Sequence, residues 1–230
     1  DVSFSDIREA QVWIKANTTD KDCLLVLDDV WSVNDVAVFN HLSGKCQLLV
    51  TTRDVNVVRG SRGFVYELDI MKLDESRALF YRSAGIKPGE LSGFSPKMHQ
   101  IIEELLTQCR GLPLALSLVG SNLYSTRWEQ DWENILGEFT TDLEEIRSMF
   151  PTDYYPYDGI IKAINVSFEL LEKCEQEKFL DFAIFPEGTS IPLDILELFW
   201  SSEGAGRTSC SPWTTRRILD ALETKSMIQR

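Results

Sequence analysis

Short apolar runs separated by helix-like segments dominate the first seventy residues of the chain. The runs Cys23–Leu27 and Cys46–Val50 show little polar alternation, which predicts two strands buried on both faces of a parallel sheet. Phe64–Leu68 alternates apolar and polar residues, which predicts a third strand nearer the sheet edge. Apolar residues at helical spacing in Phe4–Ala16 and Asn34–Leu42 predict two helices. This order of strand, helix and strand is typical of a βαβ unit.

From Asp74 onward the apolar positions recur at helical spacing. Ser95-Pro96 provides a helix N-cap followed by proline at the first helical position, and Gly111 provides a stop. Leu112-Pro113 begins the next helix, whose residues are apolar on nearly every side, so we expect it to be buried. The segment Trp128–Phe150 continues as a helix with a strongly acidic composition.

Prolines, tyrosines and a glycine interrupt the helical pattern between Phe150 and Gly159, which predicts a domain boundary there. Beyond it the spacing predicts short helices and one polar loop, an arrangement typical of a helix-turn-helix or winged-helix domain. The helices are Ile160–Leu171, Glu175–Ile184, Leu193–Ser201 and a last one from Ser211-Pro212 to about Glu223, with the loop at Ser202–Ser209. The simplest interpretation places five aromatic side chains in the core: Trp31, Phe179, Phe182, Phe185 and Trp200.

The composition is acidic, with 23 Lys and Arg against 36 Asp and Glu among 230 residues and a net charge of -13. This balance argues against a protein whose main task is to bind a nucleic-acid duplex. No apolar run approaches the length that crosses a bilayer. The five cysteines are scattered and lack metal-ligand spacing, which indicates reduced thiols in a cytoplasmic protein. His41 and His99 are interpreted as surface or packing residues.

Candidate chemistry begins with Asp28 and Asp29, which follow directly after the first predicted strand. Ligands of open α/β sheets bind beyond the carboxyl ends of the strands. A carboxylate at that position can hold a hydrated Mg²⁺ against nucleotide phosphates, and a second one can orient a water molecule. The stretch alone favours a simpler structural role, in which the two residues cap a helix or fill a turn.

Two further motifs carry candidate residues. Arg53, in Thr51-Thr52-Arg53, ends the neighbouring strand and could pair with a terminal phosphate. The alternative is an exposed arginine paired with Asp54 or with the acidic surface. In Gly111-Leu112-Pro113-Leu114 the proline could press on a purine ring and Ser117 could offer a hydroxyl, although a helix stop followed by a helix start explains these residues on structural grounds.

Taken in order, these motifs resemble the NB-ARC nucleotide-binding switch, which is shared by plant disease-resistance proteins and animal apoptotic factors. The segment Leu24–Trp31 is similar to its Walker-B motif, and Leu48–Asp54 is similar to its first sensor motif. Gly111–Leu116 resembles its Gly-Leu-Pro-Leu motif, and Phe179–Glu187 resembles the motif that opens its winged-helix domain. The resemblance covers almost the whole chain.

The resemblance implies a STAND-class P-loop ATPase that ADP holds closed and that opens on exchange for ATP, then oligomerises in cell-death or innate-immune signalling. Residue by residue, it implies that Asp28 binds Mg²⁺ and that Asp29 is the catalytic residue that positions water. It further implies that Arg53 senses the terminal phosphate, Pro113 covers the adenine and Ser117 adds a polar contact. The partners it implies are nucleotide, further copies of the module, an upstream effector domain and downstream sensor repeats.

Two family elements have no counterpart in this sequence. The phosphate loop, Gly-x-x-x-x-Gly-Lys-Ser/Thr, should precede Asp28, and residues 1–27 do not match it. The Met-His-Asp-type motif should follow shortly after Ile228, and only Gln229 and Arg230 follow that residue in this sequence. Since the loop supplies most of the amides that grip phosphate, we expect this chain to be an inactive fragment that binds ADP or ATP weakly. We expect the longer parent protein to bind them well.

The predicted fold class is α/β plus all-α, in three domains. Residues 1–72 form a truncated parallel-sheet half of a P-loop NTPase, residues 73–150 a helical bundle, and residues 151–230 an incomplete winged-helix domain. An alternative function is a nucleotide-free interaction scaffold that binds partners through the acidic face from Glu129 to Asp158, although such a face is often only solvated. A third hypothesis is DNA binding by residues 193–230, which the acidic charge of the chain disfavours.

Overall fold

The first part of the chain, Asp1–Leu68, forms one unit built around two parallel strands. The computed structural model describes residues 3–19, 21–39, 46–59, 63–124, 126, 128–141, 158–186, 189–201 and 210–229. Helix α1 spans Ile7–Thr18, strand β1 Leu24–Leu27, helix α2 Val33–Val38 and strand β2 Gln47–Val50. The two strands pair in parallel. The predicted βαβ unit is therefore confirmed.

Both strands have one exposed face, which contradicts the prediction that they are buried on both sides. Leu24 of β1 is 60% exposed, Val26 is 51% exposed, and Leu49, which pairs with Val26, is also 51% exposed. Strands in parallel sheets are buried only when a layer of other residues covers each face. The apolar run predicts the strand correctly, but burial depends on that covering layer, which the run itself does not contain.

The predicted third strand, Phe64–Leu68, does not join the sheet. Residues 64–70 have no regular secondary structure, and the sheet of the described residues consists of β1 and β2 alone. Phe64 is 91% exposed and Leu68 is 88% exposed. Alternating apolar residues favour a strand, but a strand forms only where a neighbour supplies ladder hydrogen bonds. The segment instead lines a groove along β2, described below.

The second unit, Asp69–Arg230, is built from helices and contains no strand among its described residues. The predicted N-caps are confirmed, because Ser95 accepts from the Met98 N–H and Ser211 accepts from the Thr214 N–H. Pro96, Pro113 and Pro212 each occupy the first helical position. The helices are α3 Leu73–Ser83, α4 Pro96–Cys109, α5 Pro113–Asn122, α6 Glu129–Thr141, α7 Asp158–Glu169, α8 Lys173–Leu180, α9 Leu193–Ser201 and α10 Pro212–Thr224.

Helices α3 to α7 share one apolar core, with α5 at its centre. Leu116, Leu118 and Val119 of α5 are buried, as the nearly all-apolar pattern predicts. Ala163 and Val166 bring α7 into the same core. The predicted boundary near residue 150 lies outside the described residues, and the three-domain division stays a prediction.

A second, smaller core lies among α8, α9 and α10. Trp200 is 1% exposed and is its largest apolar side chain, which confirms the predicted core position. The aromatic residues Phe179, Phe182 and Phe185 pack partly buried around this core, again as predicted. The polar loop predicted at residues 202–209 and part of the acidic face (residues 142–157) lie outside the described residues. None of the helices in the described part of the chain combines the length and apolarity needed to span a bilayer.

The contact between α3 and α5 depends on Gly120, and a Gly120→Ala substitution should destabilise the bundle. A Cβ at this position would lie 2.7 Å from the Ser83 Cβ and 3.0 Å from the Phe80 carbonyl oxygen, so the helices would have to move apart. We expect the free energy of unfolding in a urea titration to fall by about 1–3 kcal/mol.

Gly137 of α6 provides the matched control, because a Cβ there would meet nothing within 4 Å. Gly137→Ala should raise the free energy of unfolding by about 0.5–1 kcal/mol through helix propensity alone. Equal effects of the two substitutions would show that α3 and α5 do not approach as closely as the structure indicates.

Candidate functional site

The ends of β1 and β2 bring Asp28, Asp29 and Thr51 to one edge of the sheet. Since the strands are parallel and Leu27 pairs with Val50, the residues that follow each strand emerge together. The backbone pairing continues past both strand ends. Thr51 N–H donates to the Leu27 carbonyl at 2.9 Å, and Val30 N–H donates to the Thr51 carbonyl at 2.9 Å. Asp29 adopts a left-handed backbone conformation with φ of 51°, which Asp tolerates better than most residues.

Thr51 connects the two carboxylate residues through its hydroxyl group. Thr51 Oγ1 donates to Asp28 Oδ1 at 2.5 Å and accepts from the Asp29 N–H at 2.8 Å. The hydroxyl therefore fixes both the Asp28 side chain and the Asp29 backbone. Sequence reasoning assigned no role to Thr51, although its position directly after β2 and across from Asp28 was a usable signal.

Arg53 lies against Asp29 rather than Asp54. Arg53 Nε is 3.2 Å from Asp29 Oδ1, and a terminal guanidinium nitrogen donates to Asp29 Oδ2 at 3.3 Å. The Asp54 carboxylate instead accepts from the Asn56 N–H and caps a short 3₁₀ turn at Val55–Val57. Of the predicted site residues, the structure thus brings Asp28, Asp29 and Arg53 into one cluster.

Trp31 belongs to this cluster, and its predicted core position is wrong. The side chain is 63% exposed, and the Arg53 guanidinium lies 5.0 Å from the centroid of its ring. Trp31 Nε1 also donates to Asp29 Oδ2 at 3.3 Å. The indole and the carboxylate together hold the Arg53 guanidinium in place, and a cation over an aromatic face is a favourable contact. Sequence reasoning missed this because a tryptophan next to a buried strand is more often a core residue.

The cluster is open to solvent and borders a groove. The Asp29 side chain is 41% exposed and the Arg53 side chain 66% exposed, so a ligand could reach both. A groove of about 1020 Å³ lies along β2, bounded by its residues, by Thr51 to Val55 and by the extended segment Gly63–Leu68. Within the described residues, no group of three or more His, Cys, Asp or Glu side chains is arranged to hold a metal ion by itself. A cation at Asp28 would therefore need ligands from water or from phosphate.

The Gly-Leu-Pro-Leu motif lies in the second unit and forms the turn between α4 and α5. Gly111 has φ of 71°, and a Cβ there would lie 2.5 Å from the Met71 carbonyl oxygen. Its own carbonyl accepts from the Met71 N–H at 2.9 Å. The structural interpretation of this motif is confirmed. Pro113 is exposed at the first position of α5, and Ser117 lies half-buried one turn further along the same helix.

Comparisons with known proteins agree with these features. Residues 3–89 match the family model of the NB-ARC domain. Human apoptotic protease-activating factor 1 is 28% identical over 185 residues, which cover 78% of this chain and 14% of the human protein. The zebrafish (Danio rerio) protein of the same name is 26% identical over 184 residues, covering 78% of this chain and 13% of that protein. A probable disease resistance protein of Arabidopsis thaliana is 30% identical over 195 residues, covering 80% of this chain and 20% of the plant protein.

The chain spans a fifth or less of the length of these three relatives. Their names point to apoptosis in animals and to disease resistance in plants. The family match includes β1, β2 and the cluster of Asp28, Asp29, Thr51 and Arg53, and it ends before the Gly-Leu-Pro-Leu turn. The family expected from the motifs is therefore confirmed: this chain carries part of an NB-ARC domain, and residues 3–89 belong to that family.

Proposed function

We propose that this chain is part of an ADP- and ATP-dependent signalling switch that controls self-association in cell-death or innate-immune signalling. The observation that carries the proposal is the cluster of Asp28, Thr51, Asp29 and Arg53 at the carboxyl ends of β1 and β2. Ligands of open α/β sheets bind at this edge. The names of the animal and plant relatives support apoptosis or immunity as the process.

Asp28 fits the role of a Mg²⁺ ligand. Its carboxylate is exposed, carries hard oxygen donors, and is held on one oxygen by the Thr51 hydroxyl. Mg²⁺ in nucleotide sites is usually bound by one or two carboxylates together with water and phosphate oxygens. When bound, the ion would neutralise phosphate charge, and the part of this chain is to hold the Asp28 carboxylate in a fixed direction.

Asp29 and Arg53 fit the roles of water positioning and phosphate sensing. The planar guanidinium, which lies near both oxygens of the Asp29 carboxylate, can form paired hydrogen bonds with a phosphate. Arg53 would then exchange one anionic partner for another when a terminal phosphate arrives, which would release Asp29 to orient water. ATP hydrolysis by the complete protein belongs to this proposal.

The remaining predictions form part of the same proposal. Pro113, exposed at the start of α5, would cover the adenine ring, and Ser117, one turn away, would offer a hydroxyl. Helices α8 to α10 would belong to a winged-helix domain that packs within the switch rather than on DNA. The complete protein would work in the cytoplasm with an effector domain upstream and sensor repeats downstream.

Titration calorimetry with ADP and ATP in the presence of Mg²⁺ tests the proposal. The measurement compares this chain with the parent protein that includes the natural upstream sequence, and we expect much tighter binding by the parent. In the parent, Thr51→Val should weaken Mg²⁺-dependent affinity by about tenfold, since it removes the hydroxyl that orients Asp28. Asp28→Ala should weaken it further, because the ligand itself is lost.

Two controls separate these roles from general damage. Thr51→Ser keeps the hydroxyl and should keep the affinity, and Asp35→Ala removes an exposed carboxylate of α2 outside the cluster. If the parent binds neither nucleotide, the switch is wrong and the interaction scaffold becomes the better explanation. If it binds but ignores the Asp28 and Thr51 changes, the assignment of those residues is wrong.

A further inference from the structure

Two cysteines that are distant in sequence lie side by side where β1 and β2 begin. The register pairs Leu24 with Gln47, and extending it by one residue pairs Cys23 with Cys46. The Gln47 N–H donates to the Cys23 carbonyl at 2.9 Å, so the backbone pairing reaches this position. Both side chains belong to the half-buried face of the sheet. The sequence, in which the cysteines are scattered, gives no sign of this pair.

The Cys46 thiol contacts the main chain between α1 and β1, next to Cys23. The neighbouring Cys46 side chain is the main cause of a raised pKa of the Cys23 thiol, and partial burial adds to it. The Cys46 Sγ lies 3.6 Å from the Thr18 carbonyl oxygen and 3.7 Å from the Lys21 carbonyl oxygen. The thiol of Cys46 is therefore held near Cys23 by the main chain that leads from α1 into β1.

We propose that Cys23 and Cys46 form a reversible modification site, at which a low-molecular-weight disulfide oxidises the two thiols to an intramolecular disulfide. Neighbouring strands lie about 4.7–4.9 Å apart, within the range of Cα separations that disulfides span. The two side chains are on the same face of the sheet, which favours a link between them.

The chemistry takes two exchange steps when oxidised glutathione is the oxidant. One cysteine loses its proton, and its thiolate attacks a glutathione sulfur, which forms a mixed disulfide and expels one glutathione thiolate. The other cysteine then loses its proton and attacks the protein sulfur of that mixed disulfide, which expels the second glutathione thiolate. Two protein thiols are oxidised to one disulfide, and one oxidised glutathione is reduced to two thiols, which take up the two protons.

The site is distinct from the cluster of Asp28, Asp29, Thr51 and Arg53. The cysteines lie where the strands begin, and the cluster of Asp28, Asp29, Thr51 and Arg53 lies where the strands end. A disulfide at Cys23 and Cys46 would close a ring that contains β1 and α2 and would tie the two strands together. The proposal therefore does not depend on nucleotide binding.

The other cysteines provide internal comparisons. Cys109 is fully buried in the first core, and burial raises the pKa of its thiol to about 12. Cys174 and Cys210 also lie near each other, but Cys210 is 2% exposed within the second core. Cys23 and Cys46 are both only half-buried. An oxidant in solution should therefore reach Cys23 and Cys46 before the buried thiols.

The test oxidises the native chain with oxidised glutathione and locates the products by peptide mass spectrometry without reduction. We expect a Cys23–Cys46 link within one chain, a loss of two of the five free thiols, and full reversal by dithiothreitol. Formation should accelerate as the pH rises, because the raised pKa of Cys23 keeps its thiol protonated at neutral pH. Cys46→Ser should abolish the link, and Cys174→Ser should leave it intact.

Other products would overturn the proposal. If Cys174 and Cys210 become linked while Cys23 and Cys46 stay free, the reactive pair lies in the second unit and the proposal is wrong. Links between chains, or mixed glutathione disulfides that never resolve, would show that Cys23 and Cys46 are not held side by side. Mapping the wild-type products decides between these outcomes even if a serine variant folds poorly.

Discussion

An Asp181→Ala substitution is expected to lower the free energy of unfolding by about 3–5 kcal/mol, because it leaves a buried lysine without its carboxylate. The Lys178 side chain is 2% exposed and the Asp181 side chain 8% exposed. Lys178 Nζ lies 3.7 Å from Asp181 Oδ2 and 5.7 Å from the centroid of the Trp200 ring. The ring alone does not compensate an ammonium group that water barely reaches.

The expected loss of stability comes from leaving the Lys178 charge buried without a partner. The attraction between Lys178 and Asp181 itself contributes little net stability. The double variant Lys178→Met/Asp181→Leu removes both charges and keeps apolar volume, so it should recover most of the stability lost by Asp181→Ala. Arg216→Ala breaks an exposed ion pair with Glu197 in the same part of the chain, where the arginine side chain is 62% exposed. That control should change stability by at most about 1 kcal/mol.

Urea titrations followed by circular dichroism measure all three variants. A double variant as unstable as Asp181→Ala would mean that Asp181 acts through its other contacts, and the explanation by a stranded charge would be wrong. An Asp181→Ala loss no larger than that of Arg216→Ala would show that Lys178 reaches solvent easily. Either result would change the account of how α8 packs against α9.

Local features of the sequence predict the helices well because their signals lie within the helices themselves. Ser95-Pro96 and Ser211-Pro212 carry both the capping hydroxyl and the proline that suits the first turn, and both helices begin where these residues predict. The nearly all-apolar surface of α5 predicts its central position. In each case the residues that determine the structure are adjacent along the chain.

Features that depend on distant neighbours could not be predicted in the same way. The alternation of Phe64–Leu68 is compatible with a strand, but pairing requires a partner that the pattern does not identify. At the candidate site, Asp28 and Arg53 were identified from their positions after the strands. The links through Thr51 and Trp31 require the register and the backbone turn at Asp29. The juxtaposition of Cys23 and Cys46 likewise depends on strand register.

Trp132→Ala is expected to lower the free energy of unfolding by about 3–5 kcal/mol. The substitution would leave a cavity where α6 packs against α3 and against the residues just before α4. Trp132 of α6 is fully buried. Its ring meets Phe80 of α3 edge-on with 6.1 Å between centroids, and meets Phe94, just before α4, in the same way at 6.1 Å. Its Nε1 donates to the Thr126 carbonyl at 3.4 Å. One side chain thus joins α6 to the helices on both sides.

Trp128, which directly precedes α6, supplies a control of the same residue type. Its side chain is 77% exposed, so Trp128→Ala should change the free energy of unfolding by no more than about 0.5 kcal/mol. Trp132→Phe should lie between the two alanine variants, because it keeps an aromatic ring against Phe80 and Phe94 but loses the Nε1 hydrogen bond. Similar losses from Trp128→Ala and Trp132→Ala would contradict the burial of Trp132.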